Sequence, residues 1–127
     1  MTAIWGSVSA AREAPTRAVI NIATSGDNTI IAAPAAGFII KIVKMFFAVA
    51  SSVNVTFKSG ANALTGAMTF ATGLGSTNVF SFDGDFNPLS MNAAEAFIIN
   101  LSGNVQVSGF VLYYVEKGQS VENEAAP

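Results

Sequence analysis

The stretch GFIIKIVKMFFAVA, residues 37–50, decides the fold. It is almost wholly apolar but carries Lys41 and Lys44. A membrane-spanning helix needs about 20 apolar residues. This run is shorter and twice interrupted by a cation, so it does not read as a span. A core helix would set the two lysines, three apart, on one face. A strand is favoured by its composition: Ile39, Ile40, Ile42, Val43 and Val49 are β-branched, and Phe46 and Phe47 are aromatic. In a regular strand residues 41 and 44 point to opposite faces. One lysine would then enter the core, unless a β-bulge shifts the register or its stem snorkels to an edge. The expectation is a long strand, bulged near residues 41–44. Its apolar residues occupy both parities, as they do where one face packs in a core and the other meets a partner.

The flanking sequence agrees. AVINIAT (18–24) is followed by the turn cluster SGDN, and TIIAA (29–33) closes at Pro34 and Gly37. VNVTFK (53–58) alternates, with Val53, Val55 and Phe57 facing one way. Further short runs lie at 67–71, 78–82, 96–101 and 105–115, separated by SGAN, TGLGST and DGDFNP. About eight short strands with Gly-rich turns predict an all-β chain: a single jelly-roll-like β-sandwich. The expected organisation is an extended N-terminal arm at 1–17, a sandwich at 18–117 and a flexible acidic tail at 118–127.

Composition narrows the chemistry. The chain has 127 residues, enough for one domain with a real core. Only 11% of residues are charged, against about 25% in typical domains. The charges also thin toward the middle, where residues 18–115 hold Asp27, Lys41, Lys44, Lys58, Asp83, Asp85 and Glu95. A surface this poor in charge is either neutral and polar or covered by other subunits, and the second reading is preferred. The net charge of −2 and the absence of a basic run argue against nucleic-acid binding. Residues 1–14 show neither the basic start nor the long apolar stretch of a secretion signal.

Histidine and cysteine are both absent. That removes the commonest general base, the Ser-His-Asp arrangement, thiolate chemistry and His- or Cys-based metal centres. Asp83-Gly84-Asp85 is the remaining acidic pair: a weak calcium candidate, and a weaker glycosidase candidate. Its plain reading is a solvated turn. GLGSTN (73–78) and GANALTG (60–66) lack the spacing of nucleotide-binding loops. Asn54-Val55-Thr56 and Asn100-Leu101-Ser102 match the glycosylation pattern but fall within strands. Tyr113 and Tyr114 should face opposite ways, one in the core and one at the rim. No catalytic residue and no cofactor are expected.

Interface candidates follow from the same reading. Ile4 and Trp5 stand in the arm, where a lone Trp must dock either on its own domain or in a neighbour's pocket. Arg12 and Arg17 complete the arm. Phe38, Ile40, Phe46, Phe47 and Tyr114 are candidates for core and subunit contact.

Three segments, RAVINIATSGDNTIIAAPAAG, VNVTFKSGANALTGAMTFA and NAAEAFIINLSGNVQVSGFVLYY, resemble small structural proteins of tailed-phage virions. The resemblance covers residues 17–114 and carries no catalytic signature. It implies a β-sandwich of the capsid cement, or decoration, type, located on the outside of the head. It further implies the major capsid protein as partner and a homotrimer as the assembly, with neither nucleic acid nor membrane. The arm and tail lie outside it. A carbohydrate-binding β-sandwich of a phage fibre or tail is the alternative.

Overall fold

A computed structural model describes residues 14–71 and 89–117, together with the backbone path of 77–81. These residues are all-β and form two antiparallel sheets packed face to face. Ten strands occur among them. They are β1 (Thr16–Ile22), β2 (Gly26–Ile31), β3 (Phe38–Val49), β4 (Val53–Ser59), β5 (Asn62–Ala63), β6 (Met68–Phe70), β7 (Thr77–Ser81), β8 (Leu89–Ser90), β9 (Phe97–Leu101) and β10 (Val107–Lys117). Sheet A has the order β1-β10-β3-β7, with β8 also on β3. Sheet B has the order β2-β9-β4-β5, with β6 also on β4. β5 and β6 share one flank of β4, and β7 and β8 share one flank of β3. The ten strands therefore fill eight positions, ordered first-eighth-third-sixth in one sheet and second-seventh-fourth-fifth in the other.

The opening stretch becomes β3, and the expected bulge is present. Leu112 pairs with Lys44 and Tyr113 with Ile42, which leaves Val43 as the extra residue. Before it, Ile40 and Ile42 are buried; after it, Met45, Phe47 and Val49 are buried. The bulge changes the inward parity from even to odd. Both lysines thus stay on the outer face, which avoids burying an ammonium group at a cost of several kcal/mol. Lys41 pairs there with Glu116 at 3.1 Å.

The core lies between the sheets. Phe47 of sheet A meets Phe57 of sheet B edge-on, with ring centroids 6.3 Å apart, and Phe70 at 5.2 Å. Phe57 in turn meets Phe97 at 5.9 Å. Ile20, Ile40, Ile42, Met45, Ile99, Leu101, Val107 and Val111 fill the remainder. Each large side chain buried this way stabilises the fold by about 1.5–3 kcal/mol.

Three local readings need correction. The SGDN cluster is only partly a turn, because β2 already begins at Gly26. Gly26 takes a left-handed φ of 97°, and the Asn28 side-chain amide donates to the Thr24 and Gly26 carbonyls at 2.8 and 3.1 Å. Turn chemistry is thus folded into the strand's first residues. The first strand starts at Thr16, within the expected arm, because the charged Arg17 occupies an outward position on an edge strand. β5 and β8 were not expected at all; each is a two-residue bridge inside a turn-rich segment.

Candidate functional site

The two outer faces differ sharply. On sheet B the outward positions of β2, β9, β4 and β6 carry Asp27, Thr29, Ile98, Asn100, Asn54, Thr56, Lys58 and Thr69. Only Ile98 is apolar. The polar groups bind one another: Lys58 Nζ sits 2.9 Å from Asp27 Oδ2, Asn100 Nδ2 donates to Asp27 Oδ1 at 2.6 Å, and the Thr69 hydroxyl donates to Asn54 Oδ1 at 2.8 Å. The Asn100 hydrogen bond, then that from Lys58, holds the Asp27 carboxyl below its usual range. This face suits water.

The outer face of sheet A is apolar across its middle. The register aligns Val19 of β1, Phe110 of β10 and Phe46 of β3 in one row perpendicular to the strands. The Phe46 and Phe110 rings stack with centroids 5.4 Å apart. Val19 is 69% exposed. The next row holds Arg17, Leu112 and Lys44, and the Arg17 guanidinium carbon lies 5.6 Å from the Phe110 ring centroid. Among the described residues neither Arg17 nor Lys44 has a carboxylate partner. On the other side of the aromatic row stand Asn21, Ser108 and Ala48. No described strand packs on this face.

The interface candidates divide accordingly. Phe46 and Arg17 lie on this outer face, and Tyr114 shares it in register with Lys41. Phe38 is 36% exposed at the start of β3. Ile40 and Phe47 are fully buried between the sheets, so they belong to the core and not to a contact surface. Tyr113 packs against the core, opposite in facing to Tyr114, as the alternation required. Ile4, Trp5, Arg12, Asp83 and Asp85 lie outside the described residues. Among the described residues no three acidic side chains come together and no pocket opens.

One polar cluster was not anticipated. Ser59 ends β4 at an inward position and is completely buried. Its hydroxyl donates to Glu95 Oε1 at 2.7 Å and accepts from the Asn92 N–H at 2.8 Å. The Asn92 and Asn62 side chains also donate to that carboxylate, at 3.0 and 3.4 Å. The same turn hydrogen-bonds sheet A, through Met91 N–H to the Ile40 carbonyl and Ala94 N–H to the Phe38 carbonyl, both at 2.9 Å. It therefore joins the two sheets at one end of the sandwich. Gly60, at φ +56°, leaves room for Glu95: a Cβ there would sit 3.1 Å from the carboxyl carbon. The signal in the sequence was a serine continuing the inward series Val53, Val55, Phe57, since a buried hydroxyl needs partners.

These hydrogen bonds, from Ser59 first and Asn92 next, lower the Glu95 pKa from its usual 4.5. A carboxylate depressed in the folded state stabilises the fold above its unfolded pKa, and that contribution is lost as pH falls through the folded value. Glu95→Gln should therefore melt at a lower temperature than the parent at pH 6, and the gap should close as pH drops below 4.5. Thermal unfolding of both proteins across that range checks this; a gap independent of pH would contradict it.

No protein-family model matches the chain, and none of the curated proteins compared with it matches.

Proposed function

We propose that this chain is a non-enzymatic structural protein of a phage virion, a cement or decoration protein that binds the outside of the head and stabilises it. The observation that carries the reading is the apolar row Val19-Phe110-Phe46 on the outer face of sheet A. In this row Val19 is exposed and Phe46 and Phe110 are half-buried, and beside it neither Arg17 nor Lys44 has a carboxylate partner among the described residues; apolar surface of this kind normally marks contact. The polar outer face of sheet B supports the same view, because it gives the molecule one side for contact and one for water. The lack of His and Cys fits a part that works through its surfaces. The wrapped strand order supports a jelly-roll reading of the sandwich. Many copies on one head would add avidity, so each contact need only be weak. The carbohydrate-binding alternative would use the Phe46 and Phe110 rings of the same face; it has less support because these rings stack on each other and no pocket opens beside them among the described residues.

The test is attachment to phage heads that lack the protein. The full chain should bind them and raise their resistance to heat. Removing residues 1–13, which leaves β1 whole, should weaken binding without altering the β-sheet circular dichroism. Equal occupancy would remove the arm from the account, and failure of the full chain to bind would overturn the reading.

A further inference from the structure

We infer that a second copy of this chain seats on the outer face of sheet A, in a two-fold stack whose axis runs along the row Val19-Phe110-Phe46. This deepens the reading above by naming a partner for that face, but its test does not require a phage head.

Size is the first argument. In sheet A, β3 and β10 run 12 and 11 residues, β1 runs 7, β7 runs 5 and β8 runs 2. At about 3.3 Å per residue and about 4.8 Å between strands, their face measures roughly 600 Å². That is at the lower end of what each partner contributes to a stable interface, ~600–1,000 Å². Sheets also stack naturally face to face, about 10 Å apart, with interdigitating side chains.

Charge placement is the second argument, and it selects the orientation. Two identical faces can be related by a two-fold axis along the strands or across them. With the axis along the strands, every row meets itself, and the Arg17-Lys44 row of one copy falls on the same row of the other. Like charges so placed cost several kcal/mol. With the axis across the strands, along the aromatic row, the rings still meet rings. Now the cationic row of one copy lies over the opposite flank of the other: Arg17 over Asn21, Lys44 over Ala48. Asn21 Oδ1 already accepts from Gln106 Nε2 at 2.8 Å, and its second lone pair can accept from a guanidinium; Ala48 leaves room for the lysine stem. This arrangement buries the apolar row and keeps the cations apart. A face that meets its own image closes at two copies. The homotrimer implied by the family resemblance would need a head-to-tail contact instead.

Sedimentation equilibrium of the full chain tests the inference. The parent should populate a species of twice 13.1 kDa that dissociates on dilution. Phe46→Ser combined with Phe110→Ser should weaken association by about thirtyfold or more, as expected for loss of central anchor residues. Ala48→Glu, which sets a carboxylate opposite Lys44 of the second copy, should tighten association by about fivefold, and Ala48→Lys should loosen it by a similar factor. The charge pair keeps the test decisive even if the double serine variant folds poorly. A monomer at all concentrations, a trimer, association unchanged in the double variant, or an Ala48→Glu that loosens it would each overturn the proposal. A monomer that still attaches to heads would sink this contact alone. A dimer that binds no head would sink only the assignment to the virion.

Discussion

Gly109→Ala should unfold the protein or destabilise it by about 3 kcal/mol or more, although it adds a single methyl group. Gly109 lies in β10, paired with Phe47 of β3 on one side and Ile20 of β1 on the other. A Cβ built on it collides with the Phe46 carbonyl oxygen and comes within 2.6 Å of Phe47 Cα. Both are backbone atoms of the neighbouring strand, so no side-chain rotation relieves the clash. Relief requires prying β10 from β3, the pairing that forms the middle of sheet A. A glycine within a strand often marks such a close backbone approach. The check is urea denaturation followed by circular dichroism, with Ser108→Ala as a neighbouring exposed control that should change stability by less than about 0.5 kcal/mol. A Gly109→Ala protein as stable as the parent would show that the two strands are further apart than described.

Phe47→Ala should cost about 3–5 kcal/mol. The ring is completely buried and makes edge-on contacts with Phe57 and Phe70 of sheet B, so it contributes heavily to the packing between the sheets. Its removal leaves a cavity in a layer that rigid strands on both sides cannot collapse. Phe46→Ala, one residue earlier on the outer face, should cost much less in a dilute monomer. The contrast between adjacent phenylalanines is the informative quantity. If the two variants lose the same stability, the facing of β3 is wrong.

Much of the fold was legible because strand chemistry is local. Alternation in VNVTFK placed Val53, Val55 and Phe57 inward, and all three are buried. The lysines of β3 could be read only as a conflict: a regular strand would bury one of them. The sequence left a bulge near residues 41–44 and a snorkelling stem as alternatives; the structure has the bulge, at Val43, because burying an unpaired ammonium costs more than an irregular ladder. Apolar residues on both parities of β3 suggest two apolar faces; the bulge accounts for much of this, since Ile40, Ile42, Met45, Phe47 and Val49 all point inward, and the register leaves Phe46 on the outer face. What could not be read depends on long-range pairing. Nothing near Phe46 in the chain announces Phe110 or Val19, which reach it through ladders spanning most of the molecule. The Ser59-Glu95 cluster joins residues 36 apart. Only the buried serine hinted at it. The interface candidates Ile40 and Phe47 were hydrophobic enough for either role, and a parity switch decided that they belong to the core.

In the role we propose, this chain works by covering and being covered, as a coat on a larger assembly. Electron microscopy of phage heads carrying the protein, beside heads lacking it, measures that most directly. The account predicts additional density on the outer surface, at regular positions, with the size of one or more sandwiches. Heads of identical appearance, with the protein recovered only in the soluble fraction, would contradict it.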